Sequence, residues 1–165
     1  MNITINLGEK ESSITTLEQL GSNEYVPFDV QITNSHITNL NVLTKKKIIK
    51  NNSLYINSQT LYDIMQTEDG EGEHNYHGLT ADDIYMALTS IKDPKYIFIT
   101  KFGRFAIVSI ELSHFKYPLM LVLETDAALV SNKKASICKI VTIYPKDHID
   151  AYIERLDNRL LLYEK

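Results

Sequence analysis

Tyr96-Ile97-Phe98-Ile99-Thr100, Lys101-Phe102-Gly103-Arg104 and Phe105-Ala106-Ile107-Val108-Ser109-Ile110-Glu111 follow one another without a gap. Two runs rich in β-branched and aromatic residues, separated by a short turn with a glycine, read as a β-hairpin. The pattern then continues. Pro118 to Thr125 is a third apolar run and Ser136 to Tyr144 a fourth, with the polar loop Asp126 to Lys134 between them. Connections of this length join antiparallel neighbours, so a four-stranded antiparallel meander is predicted.

Upstream of the hairpin the period changes. Ile84, Leu88 and Ile91 recur at helical spacing, and Thr80 with Asp83 forms a capping-box pattern ahead of them. That helix should stop near Asp93-Pro94, because proline disfavours helical geometry in the residue before it. Ser58 to Thr67, with Leu61, Ile64 and Met65, is a second helical stretch, followed by the acidic, glycine-containing loop Glu68 to Glu73. Val26, Phe28, Val30 and Ile32 alternate with other residues in the manner of a half-buried strand. Downstream, Ile149, Ile153 and Leu156 mark an amphipathic helix starting near Asp147, and Leu160 to Tyr163 a terminal apolar segment. The expected fold is α+β: an N-terminal strand and helices, then the four-stranded antiparallel meander sheet, then a C-terminal helix. Residues 1–25, with Ile3, Ile5 and Leu7 in alternation, read as a strand and linker, and residues 26–165 as a single α+β domain.

The chain has 165 residues and a formal net charge of −4, so it lacks the global basic signature of many nucleic-acid binders. The charge is unevenly divided. Residues 1–83 carry 5 basic and 12 acidic side chains, whereas residues 84–165 carry 12 basic and 9 acidic. The segment from Asp63 to Asp83 holds seven carboxylates and no Lys or Arg. A nucleic acid would therefore meet the C-terminal sheet, with the acidic segment lying away from it or restraining it. The lone cysteine, Cys138, excludes an internal disulfide and sits in an apolar run as a small strand residue. No cationic start followed by an apolar stretch opens the chain, and runs such as Leu119 to Leu123 are far too short to span a membrane. A cytoplasmic site of action, without a membrane partner, is the expectation.

No phosphate loop, zinc-type cysteine spacing, dinucleotide fingerprint or nucleophile elbow is present. His74 and His77 have an H-x-x-H spacing beside Glu71 and Glu73, which would suit a divalent metal if the stretch were helical; the glycines before it favour a loop. His77-Gly78-Leu79-Thr80 puts a histidine at the mouth of a helix, where it serves as a capping residue or as a general acid–base. Thr142 and Tyr144 project from one face of the last strand, with Lys146 just beyond it. Lys101 and Arg104 flank the hairpin turn, where cations either solvate the turn or hold a phosphate over a cleft. Lys45, Lys46, Lys47 and Lys50 form a basic run, read as a solvated surface.

The order His77-Gly78-Leu79-Thr80, an Ile84/Leu88/Ile91 helix, and Asp93-Pro94-x-x-Ile97 resembles the C-terminal domain of phage MuF-type proteins. Ile140-Val141-Thr142-Ile143-Tyr144 and the terminal Leu161-Leu162-Tyr163-Glu164-Lys165 are similar to that family's ITSIY and LLY-x-K ends. The likeness spans roughly residues 26–165 and departs from the pattern twice. Thr142 stands where Ser is expected, and Pro145 where a glycine often follows the tyrosine. Such domains are related to barnase–EndoU–colicin–RelE-like (BECR) nucleases of polymorphic toxins. The resemblance implies a ribonuclease needing no metal and no cofactor, cutting RNA through its own 2′-OH. His77, Thr142 and Tyr144 would then be catalytic, and Lys101, Arg104 and Lys146 would bind the substrate. It also implies a cognate immunity (antitoxin) protein. The competing readings are a non-catalytic phage-associated interaction module that binds a structural or immunity protein, and a metal hydrolase centred on His74 and His77.

Overall fold

A computed structural model describes residues 3–6, 28–34, 37–49, 54–67 and 76–165 of the chain. Its strands are β1 (Ile3–Asn6), β2 (Asp29–Asn34), β3 (Leu54–Asn57), β4 (Tyr96–Ile99), β5 (Phe105–Leu112), β6 (Pro118–Ala127), β7 (Ile137–Pro145) and β8 (Leu161–Glu164). The helices are α1 (Asn39–Thr44), α2 (Ser58–Met65), α3 (Ala81–Thr89) and α4 (Ile149–Arg155). None is long and apolar enough to cross a membrane.

The α+β class holds, but the expected four-stranded antiparallel meander is corrected. Among the described residues the sheet has eight strands, in the order β1-β2-β3-β7-β6-β5-β4-β8. It is mixed, since β3 runs parallel to β7 with Leu54 opposite Cys138 and Ile56 opposite Ile140. The cause is legible after the fact. Leu54-Tyr55-Ile56-Asn57 alternates over only four residues, too few to announce a strand, and its partner lies some eighty residues downstream. The terminal apolar segment is likewise a strand, β8, which covers the outer edge of β4. Residues 3–6, in the segment read as a strand and linker, form β1 and pair with β2.

Alternation along each strand divides the apolar residues between two faces. One face carries Leu54, Ile97, Ile107, Leu121 and Ile140, packed beneath α1, α2 and α3 through Leu40, Leu61, Ile64, Ile84 and Leu88. The other carries Phe98, Ala106, Val108, Met120 and Val122, and α4 lays Ile149 and Ile153 on it. The second cluster is much the smaller, so part of this face stays open. Where β6 and β7 pair, the register slips by one residue: Val122 faces Thr142 but Leu123 faces Ile140. Val141 is the extra residue of a β-bulge. The bulge lets Ile140 and Ile143 both point into the large core while Thr142 and Tyr144 point to the open face.

Candidate active site

The segment that carries His77 is fixed on its C-terminal side. Gly78 donates its N–H to the Gln66 carbonyl at 2.6 Å, and Leu79 donates to Ile64 at 3.0 Å, which ties the segment to the end of α2. Gly78 has φ +61°, a conformation costly for any residue with a Cβ. A Cβ there would also lie 3.4 Å from the Phe115 ring. Two residues on, the capping box forms as the sequence predicts: Thr80 Oγ1 accepts from the Asp83 N–H at 3.2 Å, and Asp83 Oδ2 accepts from the Thr80 N–H at 3.0 Å.

Asp83 does more than cap. Its side chain is buried, and Oδ1 accepts the His114 backbone N–H at 3.0 Å while Oδ2 meets His114 Nδ1. Burial alone would raise the carboxyl pKa, but the hydrogen bonds from Thr80 and His114 outweigh it and hold the pKa below the usual value. The carboxylate thus joins the helix mouth to the β5–β6 turn. This link across 31 residues leaves no trace in the local sequence.

β3 reaches only as far as Ile140 along β7. Beyond it His77 comes up to the strand, with Nε2 3.5 Å from Thr142 Oγ1 and its ring centroid 5.6 Å from that of Tyr144. A contact of 3.5 Å is at the outer limit of a hydrogen bond, and such contacts commonly tighten when substrate binds. The Tyr144 hydroxyl donates weakly to Met120 Sδ at 3.8 Å, so a phosphate oxygen would be a better acceptor. Burial, with Tyr152 nearby, pushes the Tyr144 phenol above its ordinary pKa, so it keeps its proton at neutral pH.

Tyr144 separates two adjoining cavities. The one on the open sheet face, of about 360 Å³, is lined by Lys101, Arg104, Thr142, Tyr144 and Lys146. Lys101 Nζ lies 5.0 Å from the Phe102 ring centroid and Lys146 Nζ 5.5 Å from that of Tyr152. Arg104 makes a loose ion pair with Glu124 at 3.8 Å. The other cavity, of about 460 Å³, is lined by His77, Tyr144, Tyr76, Phe115 and Asp147 among others. Of the six residues singled out in the sequence, five line the cationic cavity, and His77 lines the other with Tyr144 shared between the two. Despite Pro145, Lys146 stays registered on the sheet, its N–H donating to Pro118 at 2.9 Å. Comparison with protein-family models, with curated proteins and with solved structures gives no match.

Sequence reading missed Phe102, which is 75% exposed at the tip of the Lys101–Arg104 turn and lines the cationic cavity. A large apolar residue inside a polar turn was the available signal. It also missed Tyr76, Phe115 and Asp147, which only the meeting of distant segments brings together. His74 and the loop Glu68 to Glu73 lie outside the described residues. Among the described residues, no three His, Cys, Asp or Glu side chains converge as a metal site. Burial pushes the Cys138 thiol up to about 12, which suits a packing role in the strand.

Proposed function

We propose that the chain is a ribonuclease domain that cleaves RNA by attack of the 2′-OH on the adjacent phosphate, as its resemblance to MuF-type toxin domains implies. The observation that carries this reading is His77 Nε2 at 3.5 Å from Thr142 Oγ1, beside Tyr144 and a cavity lined by three cations. RNA supplies its own nucleophile, so the protein needs a proton acceptor, a proton donor and positive charge for the phosphorane-like transition state. His77 exchanges a proton with the 2′-OH or with the departing 5′-oxygen. Tyr144 and Thr142 donate hydrogen bonds to the non-bridging oxygens, and Lys101, Arg104 and Lys146 offset the charge that develops there. The products are a 2′,3′-cyclic phosphate and a 5′-hydroxyl. Phe102 offers a flat apolar surface on which a neighbouring base stacks without sequence preference. The bacterial or host cytoplasm, where RNA is abundant, is the proposed site of action.

RNA incubated in EDTA with wild type and with His77→Ala tests the proposal. Cleavage by wild type to cyclic-phosphate ends, lost in the variant, is expected. Equal cleavage by both, or none by wild type at high protein concentration, overturns the assignment.

One observation favours a second reading. Ile110, Leu112, Phe115 and Tyr117 leave apolar surface exposed around the β5–β6 turn. A protein partner, such as an immunity protein, would bury such a patch. Intact RNA together with a stoichiometric complex between the chain and the product of a neighbouring gene would favour an interaction module without chemistry.

A further inference from the structure

The two cavities that meet at Tyr144 differ in kind. The cationic one carries Lys101, Arg104 and Lys146. The second, at about 460 Å³, has the size of a small-ligand site and no Lys or Arg among the described residues that line it. Its walls come from Tyr76, Phe115, Tyr117 and Tyr144, and Gly78 leaves the space that a side chain would fill. Among the described residues that line it, the one carboxylate is that of Asp147, whose side chain is 56% exposed. A phosphate would be repelled there. A flat aromatic ring with a hydrogen-bond-donating edge would stack on the walls and present N–H groups to the carboxylate.

We infer that this cavity is a nucleobase subsite, and that Asp147 selects bases carrying an exocyclic amine over uracil. The inference rests on reading the cleft as an RNA cleavage site and adds which nucleotide lies beside His77. The amines of adenine, cytosine and guanine donate to a carboxylate. Uracil offers only N3–H between two carbonyl oxygens, which the carboxylate repels. The phosphodiester then crosses Tyr144, with one base in the aromatic cavity and the rest of the strand on the cationic side. Aromatic walls supply affinity that every base shares, and Asp147 supplies the difference between bases.

His114 extends the arrangement backwards. Its ring lies 3.8 Å, centroid to centroid, from that of Phe115, and Asp83 holds it in place. The wall of the subsite is therefore fastened to the same carboxylate that caps α3 behind His77.

The test separates base choice from catalysis. Adenosine, cytidine, guanosine and uridine monophosphates are titrated into wild type, Asp147→Asn and Phe115→Ala, with binding followed by calorimetry. In parallel, cut positions are mapped on an RNA of mixed sequence. Wild type should bind uridine monophosphate on the order of tenfold more weakly than the others, as expected for loss of a hydrogen bond to a charged group. Asp147→Asn should narrow that gap to within about threefold, since an amide carbonyl still accepts but does not repel as a carboxylate does. Phe115→Ala should weaken binding of all four while keeping their order. Equal binding of all four by wild type, or an unchanged order in Asp147→Asn, overturns the inference even if RNA is cut. Discriminating binding without any cleavage upholds the subsite and removes the ribonuclease reading instead.

Discussion

The two faces of the sheet use the same strands for different ends. Beneath α1, α2 and α3, Leu54, Ile97, Leu121 and Ile140 are essentially inaccessible and make one continuous core. On the opposite face α4 covers only part of the sheet, and the uncovered part holds Thr142, Tyr144 and the three cations. Stability is concentrated on one side, and the proposed chemistry lies where burial is incomplete. Side chains that a core would exclude, such as Lys146 and Arg104, are tolerated on the open face because water reaches them.

The difference can be broken from either side. The largest effect expected is on activity: His77→Ala should lower RNA cleavage by roughly 10²–10⁴-fold while leaving the thermal midpoint nearly unchanged. Coupled loss of fold and activity in that variant would show that His77 is structural. Leu121→Ala, on the covered face, should do the reverse. Deleting a fully buried leucine side chain costs about 2–5 kcal/mol, readable in a urea titration, without altering cut positions at temperatures where the variant stays folded.

Asp83 joins the mouth of α3 to the β5–β6 turn beside the cavities, and its variant should move both readouts. Asp83→Asn keeps the shape but weakens the cap on α3 and the tie to His114, for a cost of about 1–3 kcal/mol. The sign of its pH dependence follows from the lowered folded-state pKa. The unfolded chain takes up the proton first, so the contribution of Asp83 is full above about pH 4 and disappears as pH falls through the folded value. Unfolding measured between neutral and acidic pH should show a shallower loss of stability in Asp83→Asn than in wild type.

Smaller effects test the loop and the cationic side. Gly78→Ala forces a Cβ into a left-handed backbone and against Phe115, and should cost about 1–2 kcal/mol together with part of the activity. Lys101→Ala should weaken RNA binding by a similar factor on every sequence and reduce the salt dependence of affinity by about one ion. A change in sequence preference in that variant would place base recognition on the wrong side of Tyr144.

Local pattern was enough for whatever a few neighbouring residues decide. The β4–β5 hairpin, the Thr80/Asp83 capping box and the common face of Thr142 and Tyr144 follow from side-chain period and a helix cap, whereas α3 stops at Thr89, ahead of the expected end near Asp93-Pro94. β3 and β8 were beyond that reach. Four residues of β3 acquire their identity from β2 and β7 on either side, and β8 from β4, because a strand is stabilised by its neighbours and not by its own sequence.

The site divides the same way. His77, Thr142, Tyr144, Lys101, Arg104 and Lys146 were legible as residue types in suggestive places, since chemistry needs particular functional groups. Their placement around two cavities that share Tyr144 was not legible. It depends on the Val141 bulge, on the short reach of β3 along β7 and on Asp83 drawing the β5–β6 turn toward the helix mouth. Sequence by itself determined the functional groups and the local elements that carry them. Tertiary structure alone decided which of those groups meet, because pairings across thirty to ninety residues are set by core packing and strand neighbours that no local window contains.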